Sequence, residues 1–276
     1  MFRTESAAKI NWFLSVLGKR EDGFHEIRSV MQKISLSDVL TFEEADRVEL
    51  SANITITDNI ILKTIGKLRQ RKKRAEKGIR IVLRKVIPLA AGLGGGSSNA
   101  ATVLVGLNKL WGLMLAHDEL IGIAASLGSD VPFFLGGNCS SVSGRGEIIS
   151  PCAVTREYDL LLVNPGIAIS SAWAYQQTRE YAQRDEDMVA PFIDALNRRD
   201  FSFLDEHMVN SLETPVFQKY PVIREIKEAL REQGARLSLM SGSGSTVFGV
   251  FDDEESARSA RSYFEMFWTG VVKTRI

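Results

Sequence analysis

Apolar and polar residues alternate along the first part of the chain, with the period of two that indicates half-buried β-strands. The alternation extends from Ala7 to Leu17, and shorter segments of the same character run from Ile27 to Ile34, from Val39 to Phe42 and from Val48 to Leu50. Short turns separate these segments. We therefore expect an antiparallel, β-rich region at the start of the chain.

Beyond residue 58 the apolar residues recur every three or four positions, which predicts amphipathic helices, with short strands between them. Asp58 and Asn59 can cap the first of these helices, Asp118 can cap the third, and Gly128 can end it. The predicted helices cover residues 61–68, 100–111, 120–127, 173–181, 191–197, 203–212, 222–233 and 254–267. The predicted strands of this part cover residues 79–86, 159–163, 237–240, 247–251 and 271–276.

Strands and helices occur in separate blocks, which favours an α+β fold over a doubly wound α/β sheet. The character of the chain changes near Pro151. We therefore predict two domains, formed by residues 1–153 and 154–276. A polar and charged stretch from Ala182 to Val189 is expected to be a mobile surface loop.

The composition is that of a globular protein, since 45% of the 276 residues are hydrophobic and 25% are charged. The 34 basic and 34 acidic residues balance, which argues against general nucleic-acid binding. We see no apolar run of membrane-spanning length and no signal peptide. The two cysteines, Cys139 and Cys152, make neither a disulfide framework nor a metal site by themselves. We therefore expect a cytoplasmic protein with reduced thiols and no membrane or nucleic-acid partner.

A glycine-rich stretch from Pro88 to Asn99 lies between a predicted strand and a helix that we expect to begin near Ala100. Its glycines lack the Cβ atoms that would keep backbone N–H groups away from a ligand. The following helix adds its positive dipole end, so the stretch suits an anion and above all a chain of phosphates. The alternative is a flexible Gly/Ser linker. The apolar flanks favour the phosphate site.

This stretch differs from two well-known phosphate loops. It lacks the Gly-Lys-Ser/Thr ending of a P-loop, and it lacks the spacing and the following acid of a dinucleotide-binding loop. A phosphate site without its own lysine needs a cation from elsewhere, for which Lys9 is the candidate, with Mg²⁺ neutralising the remaining charge. Ser97 and Ser98 can cap the helix, or meet a metal bound to the phosphates.

A basic run from Lys67 to Lys77 allows two interpretations. It can be a nucleic-acid or phosphate-binding patch, or a solvated helix end whose cations suit the helix dipole. The balanced charge of the chain favours the solvated helix end. An RNA-binding protein nevertheless stays an alternative, and it would show a steep salt dependence of RNA affinity.

Four motifs appear in a fixed order along the chain. They are Ala8-Lys9-Ile10-Asn11, Gly23-Phe24-His25-Glu26, Gly92-Leu93-Gly94-Gly95-Gly96-Ser97-Ser98 and Ser241-Gly242-Ser243-Gly244-Ser245. With them the chain resembles the GHMP superfamily of small-molecule kinases over nearly its whole length. The resemblance implies a two-domain fold, with a β-rich N-terminal domain that carries the phosphate loop and a ferredoxin-like C-terminal domain. The active site would lie in the cleft between these domains.

The resemblance also implies an activity. The triple glycine, the Gly23 to Glu26 motif and Val163-Asn164-Pro165-Gly166 together resemble the branch that phosphorylates a diphosphocytidyl alcohol, at the expense of ATP, in non-mevalonate isoprenoid precursor biosynthesis. The alternatives are another GHMP kinase, of the mevalonate or homoserine kinase type, and a nucleotide-binding regulatory module without catalysis. The resemblance implies ATP and Mg²⁺ as cofactors and a monomer or weak homodimer.

The catalytic pair of the family matches Lys9 and Asp130, and Asn11 matches a residue near the acceptor hydroxyl. Phe24, His25 and Tyr175 match a cytidine pocket. In that pocket two aromatic rings would stack on the base and the histidine would read its edge. Ser171 and the loop from Ser241 to Thr246 would complete the acceptor side. The residues that the resemblance assigns to ATP are Asn59, Lys85, Pro88, Leu89, Ala90, Ala91, Gly92, Leu93, Gly94, Gly95, Gly96, Ser97, Ser98, Gly242 and Ser243.

Three positions depart from the family pattern. Ala90 stands where the family often has glycine, so we expect a backbone there that tolerates a Cβ. Phe24 stands where tyrosine is common, which keeps stacking and loses a phenolic hydrogen bond. Ser171 replaces a common threonine. Lys9 and Asp130 are unaffected by these departures.

Overall fold

The computed structural model describes residues 1–71, 78–179, 181 and 188–276. The chain forms two compact units, and each is assembled from several segments. Unit 1 contains Met1–Ala8, Ser37–Pro88 and Gly94–Gly137, and unit 2 contains Lys9–Leu36, Leu89–Leu93 and Asn138–Ile276. The boundary predicted between residues 153 and 154 falls inside the last segment of unit 2, and that two-domain division stays a prediction.

Two long strands pass through both units: β1 (Phe2–Lys19) and β2 (His25–Ala45). In unit 1 they are joined by β3 (Val48–Ala52) and β4 (Gly78–Arg84). The last part of β2 pairs antiparallel with β4, from Val39 opposite Arg84 to Ala45 opposite Gly78. β3 pairs with the other edge of β4 and runs parallel to it. The helices of unit 1 are α1 (Ile60–Arg71), α2 (Gly95–Leu110) and α3 (His117–Leu127).

The core of unit 1 lies between these helices and the sheet. It contains Phe42 of β2, Ile81 of β4, Leu68 of α1 and Leu104 of α2, all of them buried. Gly106 brings α2 close to the sheet, because a Cβ there would lie 3.1 Å from the ring of Phe42. Burial of the apolar stripe of each helix stabilises the layer.

Unit 2 carries a second sheet with a recognisable topology. Its strands are β7 (Asp159–Asn164), β8 (Leu237–Met240), β9 (Val247–Phe251) and β10 (Trp268–Lys273), in the spatial order β10-β7-β9-β8. All three pairs are antiparallel. Helices separate β7 from β8 and β9 from β10, which gives the βαββαβ order of a ferredoxin-like fold.

The helices of unit 2 are shorter on average than those of unit 1. Two further strands of unit 2 add to the sheet beside β2. The helices are α4 (Ser171–Gln177), α5 (Val189–Arg198), α6 (Phe201–His207), α7 (Glu213–Lys219), α8 (Pro221–Glu232) and α9 (Glu254–Arg261). The two strands, β5 (Cys139–Ser143) and β6 (Ile148–Pro151), form an antiparallel hairpin, and β5 pairs with the first part of β2. The core of unit 2 includes Leu161, Ile226 and Phe251.

The structure corrects several local predictions about strands. The segments 27–34 and 39–42 are one strand, β2, because the polar Asp38 between them is fully buried with hydrogen-bond partners and does not interrupt it. The β-rich region is not wholly antiparallel, since β3 and β4 run parallel. Two parallel strands must be joined by a crossover connection, and α1 lies in the connection between β3 and β4.

Helix boundaries also differ from the prediction. α2 begins at Gly95 and not near Ala100, so the second half of the glycine-rich stretch is helical. Asp118 does not cap α3, because the side chain of Glu119 accepts the hydrogen bond from the backbone N–H of Ala116 at 3.0 Å. Gly128 ends α3 as expected. α4 begins at Ser171 and ends at Gln177, and the sequence pattern missed α7.

Two predicted features lie partly outside the described residues. They are residues 72–77 of the basic run and residues 182–187 of the expected loop. Within the described ranges, no helix is both long and apolar enough to cross a bilayer.

Candidate active site

Lys9 occupies a fixed position on β1 in unit 2. Lys9 and Asn11 are two residues apart on the strand and therefore point to the same face. The side chain of Lys9 is buried, and its Nζ donates to Asn11 Oδ1 at 2.6 Å. Asn11 Nδ2 in turn donates to Ser29 Oγ at 2.7 Å, and the backbone N–H of Lys9 donates to the carbonyl of Leu93 at 3.0 Å. The ammonium group is thus held beside the glycine-rich stretch.

The first part of the glycine-rich stretch lies against the second Gly/Ser loop, also within unit 2. The N–H of Thr246 donates to the carbonyl of Ala91 at 3.3 Å, and Ser241 Oγ donates to the carbonyl of Gly92 at 3.1 Å. Gly92 has a φ of 75°, and a Cβ on it would lie 1.9 Å from the carbonyl oxygen of Ser241. A Cβ on Gly242 would lie 3.1 Å from Lys9 Nζ. Glycine is therefore needed where these backbones and the lysine meet.

Side chains from elsewhere in unit 2 hold the second loop in place. Asn210 Nδ2 donates to the carbonyls of Met240 and Gly242 at 2.7 and 2.8 Å. Ser171 and Ser243 share a hydrogen bond of 2.8 Å between their hydroxyl groups. Ser171 therefore contacts the second loop, and the role of both on the acceptor side stays a prediction. Asn210 was missed, because it falls inside the helix predicted over residues 203–212, whereas the observed helix ends at His207.

Two of the three predicted base-binding residues contact each other in unit 2, and the third contacts an arginine. The rings of His25 and Tyr175 stack, with centroids 5.6 Å apart and an interplanar angle of 24°. The guanidinium carbon of Arg145 lies 4.8 Å from the centroid of the Phe24 ring, whose residue is largely exposed. Burial, with a smaller effect of the charge of Lys19, lowers the pKa of His25. The imidazole is thus predominantly neutral at pH 7, and one nitrogen can donate while the other accepts.

Ala90 adopts a backbone conformation that the sequence did not lead us to expect. Its φ is 49°, in the left-handed region where a Cβ is unfavourable. We expected a conformation that tolerates a side chain, and this expectation is wrong. The residue costs about 1–2 kcal/mol relative to a right-handed conformation. That cost is consistent with the frequent glycine of the family at this position.

The second part of the glycine-rich stretch lies in unit 1 and forms the start of α2. The first helical hydrogen bond runs from the N–H of Ser98 to the carbonyl of Gly94 at 2.9 Å. The N–H groups of Gly95, Gly96 and Ser97 therefore precede the helical bonding pattern and point out of the helix end. Gly96 is exposed, and a Cβ on it would have Ile60 at 4.0 Å as its nearest neighbour. Open backbone at the positive end of a 16-residue helix suits an anion.

A buried carboxylate in unit 1 supports this helix start. Asp38 accepts hydrogen bonds from Lys85 Nζ at 2.6 Å, from the N–H groups of Val86 and Ile87 at 2.7 and 2.9 Å, and from Asn99 Nδ2 at 2.9 Å. The donors come from the segment after β4 and from the first turns of α2. Asp38 therefore fixes both flanks of the glycine-rich stretch, and the sequence did not identify it.

Hydroxyl groups extend the network to the helix. Asn99 Nδ2 also contacts Ser6 Oγ at 2.9 Å, and Ser6 Oγ donates to Ser98 Oγ at 2.8 Å. Ser98 is buried and therefore part of the supporting network. The sequence analysis assigned Ser98 to ATP binding, helix capping or a metal contact, and it missed Ser6 and Asn99.

The structure places Lys85 and Asn59 in supporting positions. The Lys85 side chain is 3% exposed. Burial lowers the pKa of Lys85, and the Asp38 carboxylate opposes that shift. A Cβ on Gly95 would lie 2.7 Å from Lys85 Nζ, so the ammonium lies directly behind the first turn of α2. Asn59 caps α1, since its Oδ1 accepts from the N–H of Ile61 at 3.0 Å. Their predicted contacts with ATP stay predictions.

Asp130 lies in a turn of unit 1 between α3 and a short 3-10 helix, Pro132–Leu135. It is half-buried, and the turn is closed by a hydrogen bond of 3.1 Å from the N–H of Val131 to the carbonyl of Gly128. Val131 and Phe133 are fully buried, so apolar packing on the C-terminal side anchors the turn.

A resident metal site is not evident in the described ranges. They contain no group of three or more His, Cys, Asp or Glu side chains that could hold a metal ion.

Comparisons with known proteins agree with this geometry. Residues 59–138 match the family model of the GHMP kinases N terminal domain, and residues 192–268 match that of the GHMP kinases C terminal. A 4-diphosphocytidyl-2-C-methyl-D-erythritol kinase from Thermodesulfovibrio yellowstonii is 42% identical, and the alignment covers 100% of this chain and 99% of the relative.

Solved structures give the same result. A crystal structure of 4-(cytidine 5'-diphospho)-2C-methyl-D-erythritol kinase matches with a TM-score of 0.86 at 32% identity, over 99% of both chains. The L. major mevalonate kinase in complex with R-mevalonate gives a TM-score of 0.75 at 14% identity, over 100% of this chain and 96% of that chain. At that low identity, the second similarity concerns the fold alone.

A helix start with open backbone N–H groups, a buried lysine beside a glycine loop and a ferredoxin-like sheet thus occur in a chain that belongs to the GHMP kinases. The predicted two-domain α+β GHMP kinase fold is confirmed. Within that class, the chain belongs to the family of 4-diphosphocytidyl-2-C-methyl-D-erythritol kinases.

Replacing Asp38 with Asn should destabilise the protein strongly. The change leaves the buried Lys85 ammonium without its anion, and removing one partner of a buried ion pair costs about 3–5 kcal/mol. Urea unfolding, monitored by circular dichroism, measures the loss. Glu49→Gln is the matched control, because it removes a carboxylate of the same unit that is paired with Arg80 on the surface. Equal stability losses in the two variants would contradict the organising role of Asp38.

Proposed function

We propose that this GHMP kinase transfers the γ-phosphoryl group of ATP to a hydroxyl of 4-diphosphocytidyl-2-C-methyl-D-erythritol, in non-mevalonate isoprenoid precursor biosynthesis. The observation that carries the proposal is the 42% identity, over the full length of both chains, to a kinase named for that substrate. As such an enzyme the protein would work in the cytoplasm, as a monomer or a weak homodimer.

The ATP phosphates would be bound by the glycine-rich stretch. The outward N–H groups of Gly95, Gly96 and Ser97 support this assignment, as does the φ of 67° that turns the chain at Gly94. When bound, Mg²⁺ would neutralise charge on the phosphates. Ser98 is the candidate metal contact, although its hydroxyl already accepts a hydrogen bond from Ser6. Gly242 and Ser243 would add contacts from the second loop.

Lys9 and Asp130 would form the catalytic pair. Phosphoryl transfer passes through a loose transition state, so the acceptor hydroxyl can lose its proton late. Asp130 would orient that hydroxyl and take its proton, while the Lys9 ammonium would offset negative charge on the phosphoryl group in transfer. The support is local: Lys9 is held by Asn11 in unit 2, and the turn of Asp130 is anchored by buried neighbours in unit 1.

The cytosine base would be bound by Phe24, His25 and Tyr175. A neutral His25 can both donate to and accept from the edge of the base, and burial already favours that neutral state. In the present arrangement the His25 and Tyr175 rings contact one another at 5.6 Å, which leaves no space for a base between them. The base would therefore stack on an outer face of the pair. Ser171, bonded to Ser243, would complete the acceptor side.

Turnover with Mg-ATP tests the function directly. We expect ADP release with 4-diphosphocytidyl-2-C-methyl-D-erythritol and only background release with mevalonate or homoserine, because these alcohols carry no base for the aromatic residues. A coupled ADP assay measures all three. Absence of ADP above background with the diphosphocytidyl alcohol would overturn the proposal, and preference for mevalonate would support the alternative GHMP kinase.

Replacing Asp130 with Asn should lower kcat by about 10²–10⁴-fold, because the group that orients the hydroxyl and accepts its proton is lost. The KM for ATP should stay near that of the unmodified protein. Steady-state kinetics with varied ATP separate the two parameters. Asp118→Asn, an exposed aspartate of α3 in the same unit, should leave both unchanged. If the Asp130 variant keeps most of its kcat, Asp130 has no catalytic role.

Replacing Gly96 with Ala should weaken ATP binding without unfolding the protein. The added methyl group has no neighbour closer than 4.0 Å, so it would occupy the open space in which we place the phosphates. We expect the KM for ATP to rise roughly tenfold, equivalent to about 1.4 kcal/mol. Gly122→Ala in α3 is the control, since a Cβ there meets nothing within 4 Å. An unchanged KM in the Gly96 variant would place the phosphates elsewhere.

A further inference from the structure

Cys139 is the first residue of β5 and Cys152 directly follows β6, so both cysteines lie at the open end of this hairpin in unit 2. Ser140 of β5 is paired with Pro151 of β6, and the N–H of Cys152 donates to the carbonyl of Cys139 at 3.0 Å. Residues that face each other across an antiparallel pair have Cα atoms about 4.5–5.5 Å apart and side chains on the same face. That spacing lies within the range found for disulfide-bonded cysteines.

The two thiols differ in their access to solvent. Both are free, and Cys139 is buried, while Cys152 is half-buried. Cys152 lines a groove of about 570 Å³, together with Val189, Ala190 and Ile193 of α5. The polar lining groups in this groove are Asp194 and Asn197. A small molecule that enters the groove would therefore meet Cys152 first.

The two thiols also differ in chemical reactivity. Interaction with the Cys139 thiol lowers the pKa of Cys152 to about 7, against the opposing effect of burial. The same interaction, together with burial, raises the pKa of Cys139. A large fraction of Cys152 is therefore a thiolate at neutral pH, and the thiolate is the nucleophilic form of cysteine. Cys152 is therefore the better attacking thiol, and the position of Cys139 on the neighbouring strand allows it to resolve a mixed disulfide.

We propose that Cys152 and Cys139 form a thiol–disulfide exchange site for small disulfides of the glutathione type. The Cys152 thiolate attacks one sulfur of the disulfide, which forms a mixed disulfide and releases one glutathione as its thiolate. Cys139 then attacks Cys152 Sγ, loses its proton to solvent, and displaces the second glutathione, which takes up a proton. Two electrons pass from the protein to the small disulfide, and the protein gains a bond between Cys139 and Cys152.

The proposal is independent of the kinase activity, since neither cysteine belongs to the residues assigned to ATP, catalysis or the acceptor. It also agrees with the expectation of reduced thiols, because a pool rich in reduced glutathione keeps both cysteines reduced. A rise in oxidised glutathione would convert the pair. The hairpin would then be covalently closed at its open end.

Intact-mass spectrometry of the full chain, incubated with oxidised glutathione, tests the proposal. The unmodified protein should lose two hydrogens and retain no glutathionyl group. Cys139→Ala should accumulate one glutathionyl group on Cys152, because the resolving thiol is missing. Cys152→Ala should stay unmodified, because the remaining thiol is buried. Circular dichroism of both variants checks that each is folded.

Any other outcome would contradict the proposed thiol–disulfide exchange site. A stable glutathionyl adduct on the unmodified protein would show that Cys139 does not resolve it. Failure of the folded Cys139 variant to take up glutathione would show that Cys152 is not the attacking thiol. Iodoacetamide labelling after unfolding gives a second readout, since both cysteines should be protected in the oxidised protein and accessible again after treatment with dithiothreitol.

Discussion

The buried ion pair between Asp38 and Lys85 is the interaction on which the glycine-rich stretch and the start of α2 in unit 1 depend. A carboxylate away from water is tolerated only when its oxygens are occupied by donors, and Asp38 has them from Lys85, Val86, Ile87 and Asn99. These donors flank the glycine-rich stretch on both sides. The glycines of the stretch can therefore lack side chains of their own while the stretch still keeps one geometry.

In unit 2, close backbone contacts hold the glycine loops and Lys9 in one geometry. Lys9 is buried beside Gly92 and Gly242. A methyl group on Gly92 would collide with the carbonyl of Ser241, and one on Gly242 would lie within 3.1 Å of Lys9 Nζ. Its ammonium is bound by Asn11, which Ser29 orients in turn. A cation fixed in this way does not need to reorganise when charge develops nearby, and such preorganisation is the largest contribution in many enzymes. The glycines of the loops thus allow backbone conformations that other residues avoid, and the close contacts that follow hold the loops in place.

The sequence revealed the motif residues and the types of most elements, but not the network that supports them. Lys9, Asp130 and the glycines were found because the order of their motifs along the chain is distinctive. Most strands and helices were found because the periodicity of their apolar residues is strong. Asp38 lies in a pattern that resembles a break between strands, and its partner Asn99 is 61 positions away. The parallel pairing of β3 and β4 was missed for the same reason, because partners distant in sequence decide it.

The path of the chain has a consequence for folding. The polypeptide alternates between the two units, and the short segment Leu89–Leu93 of unit 2 is flanked on both sides by segments of unit 1. Its contacts join residues far apart, such as Ser241 and Gly92, which are separated by 149 positions. Such high contact order predicts slow folding. Residues 1–137 contain every segment of unit 1, whereas the segments of unit 2 extend from Lys9 to Ile276. During synthesis all of unit 1 is therefore available once Gly137 has left the ribosome, while unit 2 stays incomplete until Ile276 has followed.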